Sequence, residues 1–247
     1  MDSPENSRPL SVSCGWRTLR HFYRMLKFRP SFAKIRLADK LWFGKVMILK
    51  KAILYIHGKG GSHLEAEQYK NICRDYDVWG FDYTVDFPWV VEEKLQAFYN
   101  EISEKYTGIS IIANSIGAYF TMNSLKNRKI EKAYFISPIV NMGKLILDMM
   151  TWANVTEQEL QDKEEIETSF GETLSWKYLS YVREHPIRWK APTEILYAGR
   201  DHLTSRKTIG EFVFAHNAGL TIMEDGEHWF HTEKQLAFLE HWLLRVV

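Results

Sequence analysis

A lone serine stands where an apolar run gives way to a helical pattern, in the stretch GISIIANSIGAYF at residues 108–120. Small residues flank it, since Ala113 lies two positions before Ser115 and Gly117 two positions after. A sharp turn from a strand into a helix needs small residues at those positions, because larger side chains would collide across the turn. Such a turn would lift the Ser115 hydroxyl clear of a sheet, so the stretch predicts a nucleophile.

Three further stretches carry residue types that could do chemistry. They are YIHGKGGS at residues 55–62, LYAGRDHLTS at 196–205 and TIMEDGEHWF at 221–230. Each follows or ends a short apolar run, as Ser115 does. In an open α/β sheet, ligands bind outside the carboxyl ends of the strands. The four stretches are therefore predicted to meet at one edge of a sheet.

The elements that must position these stretches are short β-rich runs that alternate with helical stretches. The predicted strands are Ala52–Ile56, Val78–Tyr83, Ile109–Ala113, Ala133–Ser137, Glu194–Ala198 and Leu220–Met223. Strands separated by helices indicate βαβ units, and hence an α/β protein with a mostly parallel central sheet flanked by helices. Between Asn141 and about Trp189 the alternation stops, and residues 142–189 are predicted to form a helical insertion.

The chain resembles the α/β-hydrolases over about residues 47–247. Ser115, Asp201 and His228 follow each other in that family's order of nucleophile, acid and base. Ala113 departs from the family's G-x-S-x-G pattern, but alanine is small enough to keep the turn. The resemblance implies an α/β-hydrolase domain at residues 47–247, with the 142–189 insertion as a short helical lid.

The resemblance also implies a role for each residue of the site. Ser115 would attack a carbonyl carbon while His228 accepts its proton and later protonates the leaving group. Asp201 would fix the imidazole tautomer and stabilise the imidazolium. The backbone N–H groups of Ile116 and Lys59 would hold the oxyanion, and the Lys59 side chain is read as incidental.

The loop that follows the first strand is expected to support this oxyanion hole. Gly58 and Gly60 would place its backbone, and His57 would brace it rather than transfer protons. The GKGG sequence also suggests a phosphate-binding loop. That reading fails because Gly60 stands where Ser or Thr must follow the lysine.

Each assignment has a competitor. Ser115 could be an ordinary loop serine that hydrogen-bonds its own backbone. Asp225 competes with Asp201, but it lies only three residues before His228 and is expected to form a turn. His202 and His231 compete with His228 as the base, and a solvated surface histidine is the usual alternative for any of them.

The predicted lid combines apolar and acidic residues. Its residues that could line an acyl pocket are Met142, Leu145, Met149, Met150 and Trp152. The alternative is that apolar residues at helical spacing simply pack on the core. The segment from Glu157 to Glu167 is strongly acidic, so its outer face is expected to be solvated.

Composition bounds the class of protein. With 247 residues, 26% of them charged and 45% apolar, the chain should form one main globular domain. A net charge of +1 gives no reason to expect a nucleic-acid partner. Cys14 and Cys73 are the only cysteines, which excludes a disulfide framework and favours a cytoplasmic location. No run of about 18 apolar residues and no secretory signal is found.

The front of the chain differs from the rest. Residues 1–50 carry 11 Lys or Arg against 3 Asp or Glu. Residues 1–46 are open to three interpretations, namely an amphipathic segment on an anionic membrane surface, a transit-type peptide, or a dispensable appendage upstream of the true start. Pro30 interrupts the amphipathic pattern and the opening MDSPE is acidic, so the appendage is favoured over membrane contact.

The sequence thus predicts a serine hydrolase that cleaves an ester or related acyl bond of a small molecule through an acyl-enzyme. No metal or organic cofactor is expected, because H-E-x-x-H, paired C-x-x-C and G-x-G-x-x-G patterns are absent. Peptidase, thioesterase, acyltransferase and carbon–carbon bond hydrolase activities remain open, since all share the fold and triad. A noncatalytic binding protein is the alternative from another class.

Overall fold

The structure, a computed structural model, describes residues 50–84 and 87–247, so the three interpretations of residues 1–46 lie outside the described residues. The strands of this part are β1 (Lys51–Ile56), β2 (Tyr76–Gly80), β3 (Gly108–Asn114), β4 (Ala133–Ile136), β5 (Glu165–Glu167), β6 (Thr173–Ser175), β7 (Thr193–Ala198) and β8 (Gly219–Met223). Its helices are α1 (Ala66–Lys70), α2 (Pro88–Ser103), α3 (Ile116–Ser124), α4 (Met142–Ala153), α5 (Glu157–Lys163), α6 (Trp176–Glu184), α7 (Arg206–His216) and α8 (Glu233–Val246).

Six of the strands form the central sheet in the order β2-β1-β3-β4-β7-β8. Every neighbouring pair is parallel. All six strands predicted from the sequence are present, and a helix lies between each consecutive pair of them along the chain. The prediction of a parallel α/β sheet flanked by helices is confirmed.

Apolar residues cover both faces of this sheet. Along β1, Leu54 and its alternate neighbours belong to the core cluster that includes residues of α2 and α3, while Ile53 and Tyr55 belong to the cluster with α1 and α8. Strands buried on both faces read as continuous apolar runs. The apolar runs of β1 and β3 in the sequence reflect this burial on both faces.

The insertion between β4 and β7 is not wholly helical. Besides helices α4, α5 and α6, it contains an antiparallel hairpin between α5 and α6, in which Ile166 of β5 lies opposite Leu174 of β6. The hairpin turn is closed by the Thr168 N–H, which donates to Glu172 O at 2.8 Å, and Gly171 there has a φ of +83°. As expected, the acidic face is solvated, and α5 buries only Leu160.

Among the described helices, none has the length and apolarity needed to cross a bilayer. Burial raises the pKa of the Cys73 thiol to about 11, so this thiol stays protonated near neutral pH. A cytoplasmic location stays a prediction.

Candidate active site

Ser115 occupies the turn between β3 and α3 with a strained backbone, at φ 50° and ψ −121°. The turn is held from several sides. The Ser115 N–H donates to Ile136 O at 3.0 Å, and Ser115 O accepts from the N–H groups of Ala118 at 3.1 Å and Ile139 at 3.0 Å. A residue keeps such a conformation only when its surroundings over-determine it, and such sites are often functional.

Gly117 allows α3 to approach β1 closely. A Cβ at this position would lie 2.5 Å from both Ile56 O and His57 O. Ala113, on the other side of the serine, is fully buried. The small residue at position 117 is therefore required by contact.

We expect Gly117→Ala to lower the free energy of unfolding by about 1–3 kcal/mol, because the added methyl group forces two backbone segments apart. Gly210→Ala in α7 is the matched control. Nothing lies within 4 Å of its added Cβ, so the control should gain about 0.5–1 kcal/mol of stability. Urea unfolding measures both. A Gly117→Ala protein as stable as the Gly210→Ala protein would contradict the steric argument.

The structure brings Ser115, His228 and Asp201 into one hydrogen-bonded chain. Ser115 Oγ lies 2.8 Å from His228 Nε2, and His228 Nδ1 lies 2.7 Å from Asp201 Oδ2. The three residues follow the carboxyl ends of β3, β8 and β7. Because a carboxylate only accepts, Nδ1 carries the proton and the Nε2 lone pair faces the serine hydroxyl.

Asp201 is fixed by its own loop. Its side chain is fully buried, and its Oδ1 accepts from the N–H groups of Leu203 at 2.8 Å and Thr204 at 3.2 Å. With His228, this gives the carboxylate three donors, which compensate for its removal from water. The carboxylate can therefore hold the imidazole in one orientation.

The competing residues have other partners. Asp225 forms an exposed ion pair with Lys234. His231 Nδ1 lies 2.8 Å from Trp229 O. The ring of His202 packs 6.5 Å from the ring of His228, beside the hydrogen-bonded chain but outside it.

The predicted oxyanion loop packs directly on the serine. Gly58 O accepts from the Gly61 N–H at 3.1 Å, which closes a tight turn, and Gly60 has the φ of +74° that such a turn requires. The Lys59 N–H takes no part in the hydrogen bond that closes this turn. The N–H of Ile116, the first residue of α3, has no partner within its helix. A Cβ at Gly58 would lie 3.1 Å from Ser115 Cβ.

His57 is buried beneath this loop. Its ring nitrogens lie 2.8 Å from Gly58 O and 3.1 Å from Tyr83 O, and its ring stacks on that of Tyr83 at 4.2 Å. The Tyr83 hydroxyl donates to His57 O at 2.6 Å. These contacts fit the expected bracing role.

Sequence reasoning missed the partner of the Lys59 side chain. Lys59 forms an ion pair with Glu172, which follows the turn of the β5–β6 hairpin. The pair joins the loop after β1 to the insertion, 113 residues further along the chain. No sequence signal marks Glu172 among the acidic residues around it.

Two cavities meet at Ser115. One, of about 530 Å³, is bounded by the insertion, and the other, of about 700 Å³, is lined by His228. Lys59, Ser115 and Leu203 line both. A reactive hydroxyl at the junction could therefore act on a bond whose two halves occupy different cavities.

The insertion supplies most of the apolar wall of the 530 Å³ cavity. The residues of α4 that line it are Met142, Leu145, Ile146, Met149 and Trp152. Met150 is the exception among the residues named from the sequence, because it is buried in the core instead. Helix α4 thus lines the cavity with one stripe of side chains and packs on the core with another, so both interpretations of its apolar residues apply.

In residues 50–84 and 87–247, no group of three or more His, Cys, Asp or Glu side chains is placed to hold a metal ion. The expectation of cofactor-free chemistry stays a prediction.

Comparison with known proteins identifies the fold. Est1E from Butyrivibrio proteoclasticus is 14% identical, over 81% of this chain and 88% of that chain, with a TM-score of 0.61. Alpha/beta hydrolase domain-containing protein 10 from mouse is 12% identical, over 78% and 87%, with a TM-score of 0.62. The Pyrococcus furiosus esterase Pf2001 is 22% identical, over 80% and 81%, with a TM-score of 0.51.

The chain therefore has the α/β-hydrolase fold, as its motifs predicted. No protein-family model matches the sequence, and no curated protein matches it either. The likeness is one of structure at low sequence identity, so it defines the fold and leaves the activity to be argued from the site.

Proposed function

We propose that this protein is a serine hydrolase that cleaves an ester or related acyl bond through an acyl-enzyme. The observation that carries the proposal is the chain from Ser115 Oγ to His228 Nε2 and from His228 Nδ1 to Asp201 Oδ2, at 2.8 Å and 2.7 Å. A hydroxyl is activated as a nucleophile when a base lies within hydrogen-bond reach of it and a third group orients that base.

In the first step, Ser115 Oγ attacks the carbonyl carbon and its proton passes to His228 Nε2. The tetrahedral oxyanion accepts hydrogen bonds from the N–H groups of Ile116 and Lys59. Collapse breaks the bond to the leaving group, which takes the proton from His228. In the second step, water repeats the attack with His228 as base and releases the acid.

The two cavities suit a substrate with two distinct halves. The apolar stripe of α4 favours an uncharged acyl group in the 530 Å³ cavity, where burial of each CH₂ contributes about 0.8 kcal/mol. The acidic face of α5, a helix of the same insertion, disfavours the approach of an anionic substrate, although salt screens part of this effect.

An ester is the favoured bond. One structural neighbour is an esterase by name, which supports this choice by analogy only. Peptidase, thioesterase and acyltransferase activities use the same groups and remain alternatives within the enzyme class. A binding protein without turnover is the alternative from another class, and the intact hydrogen-bonded chain argues against it.

A fluorophosphonate probe tests the proposal directly, because it reacts with an activated serine and spares a passive one. We expect the folded wild-type protein to be labelled on Ser115, as read from the mass of the labelled peptide, and to hydrolyse short p-nitrophenyl esters. Denatured protein is the control and should not be labelled. A folded protein that neither reacts with the probe nor turns over esters would favour the binding-protein alternative.

A further inference from the structure

The two cavities can be assigned to the two halves of the substrate, if the proposed function holds. Of the two cavities that meet at Ser115, the 700 Å³ cavity is lined by His228 and the other, as far as the described residues show, is not. The base must return its proton to the departing atom, so that atom must lie within hydrogen-bond reach of Nε2. The leaving group therefore occupies the 700 Å³ cavity, and the acyl group occupies the cavity under the insertion.

Glu65 is a half-buried carboxylate in the wall of this leaving-group cavity. It ends the one-turn 3-10 helix His63–Glu65, and its Oε1 accepts from the Ser62 N–H at 3.1 Å. Its Oε2 accepts from the Tyr55 hydroxyl. A carboxylate has about four acceptor positions, so two remain for a ligand.

A hydrogen-bonded chain ties Glu65 to the nucleophile turn. Asn114, the residue before Ser115, donates through Nδ2 to the Tyr55 hydroxyl at 3.0 Å, and that hydroxyl donates to Glu65. Burial raises the pKa of Tyr55 far above its usual value, so its hydroxyl stays protonated and keeps donating. The chain of hydrogen bonds holds the Glu65 carboxylate in place relative to the turn that carries Ser115.

The charge of Glu65 is not neutralised within the described residues, whose ion pairs do not include it. The other charged or titratable side chains that line the cavity are Lys59, Tyr69, His228 and His231, and burial raises the pKa of Tyr69 so that it stays neutral. Lys59 is paired with Glu172, and His231 lies 3.7 Å from the Glu227 carboxylate. Among the charged side chains of this wall, the Glu65 carboxylate is therefore the one without an ion-pair partner in the described part of the chain.

Aromatic rings complete the wall, since Tyr69, Trp229 and Phe230 also line this cavity. Trp229 is 73% exposed, and the face of its ring that does not stack on His231 is available to a ligand. A cation is attracted to the face of an aromatic ring as well as to a carboxylate. A cavity with both offers a positively charged group two independent sources of attraction.

We propose that the 700 Å³ cavity binds a positively charged leaving group, such as an amino alcohol or a quaternary ammonium alcohol, with Glu65 as its counter-charge. Anionic alcohols are rejected by the same carboxylate. The acyl half of the substrate is apolar and the alcohol half is cationic, so the protein discriminates its substrates chiefly by the charge of the alcohol.

The test uses two esters that differ in charge and hardly in shape, butyrylcholine and 3,3-dimethylbutyl butyrate. Acid release at constant pH gives kcat/KM for each. The kcat/KM of the wild-type protein should be about fivefold or more higher for the cationic ester. Two opposite unit charges about 4 Å apart in water attract each other strongly enough to give a factor of this size. Glu65→Gln should bring the ratio of the two kcat/KM values close to 1. Glu67→Gln removes an equal charge two residues away, outside the cavity wall, and should keep the wild-type ratio.

A second readout does not depend on ester turnover. Choline should slow fluorophosphonate labelling of Ser115 more than 3,3-dimethylbutanol does, and this difference should vanish in Glu65→Gln. Equal kcat/KM values together with equal protection would overturn the inference and leave the serine hydrolase proposal intact. Loss of both labelling and turnover in the wild-type protein would overturn the proposed function itself.

Discussion

Ser115→Ala is expected to lower kcat for short p-nitrophenyl esters by about 10⁴-fold or more, to a residual rate that the oxyanion hole and binding alone sustain. The substitution removes the only atom that could form the acyl-enzyme on the proposed path. Fluorophosphonate labelling should disappear with it. Initial rates across a range of substrate concentrations measure the effect and separate kcat from KM.

The loss would reflect chemistry and not unfolding, because alanine fits the same space and the turn is held through backbone atoms of Ser115. Circular dichroism and urea unfolding should match wild type to within about 1 kcal/mol. Ser103→Ala is the matched control, since Ser103 lies at the end of α2 and its hydroxyl donates to Asn100 O. Undiminished turnover in a well-folded Ser115→Ala protein would rule out Ser115 as the nucleophile.

Asp201→Asn is expected to lower kcat at neutral pH by about 10⁴-fold, although it changes a single atom. The N–H groups of Leu203 and Thr204 would still require an acceptor, so the amide oxygen takes the place of Oδ1. The amide NH₂ then points at His228 Nδ1 and donates to it. The imidazole proton is forced onto Nε2, where the ring can no longer accept the proton of Ser115.

Asp225→Asn is the matched control for this second experiment. Asp225 lies nearer to His228 in sequence but pairs with Lys234 at the surface, so its change should leave kcat within about twofold. Steady-state kinetics with the same esters compare the two proteins. A large loss in Asp225→Asn with little effect in Asp201→Asn would reverse the assignment of the acid.

The sheet could be predicted because its strands are short, apolar and buried on both faces. The boundaries were less accurate where local packing ends a strand early. The second strand was predicted at Val78–Tyr83 but lies at Tyr76–Gly80. A Cβ at Gly80 would lie 2.1 Å from His63 O, so the one-turn helix His63–Glu65 lies directly against the end of the strand. Such a contact between distant segments leaves no trace in local hydrophobic periodicity.

The hairpin within the insertion could not be predicted for a different reason. Each of its strands has three residues, too few to reveal a period of two. The surrounding acidic sequence has strong helix formers, and α5 does form immediately before it. Pairing of Ile166 with Leu174 over the core therefore overrides local propensity.

The candidate site could be predicted as far as its residues follow strands. Ser115, Asp201 and His228 each stand just beyond a run that reads as a strand, and the parallel sheet brings such positions to one edge. Glu172 and Glu65 were not predicted as site residues, because their positions depend on the insertion and on a buried tyrosine. Ser62 and Glu65 do form a capping box, a pattern visible in the sequence that marks a helix start and gives no hint of a ligand.

The meeting of two cavities at Ser115 has a consequence for the order in which the products depart. On the proposed path the alcohol is released first, while the acyl group stays covalently attached in the 530 Å³ cavity. The space beside His228 is then empty, and whichever nucleophile fills it receives the acyl group. Water and a second alcohol compete for that one place. The ratio of hydrolysis to acyl transfer therefore depends on which of them occupies the 700 Å³ cavity. The hydrogen-bonded chain of Ser115, His228 and Asp201 serves both reactions equally.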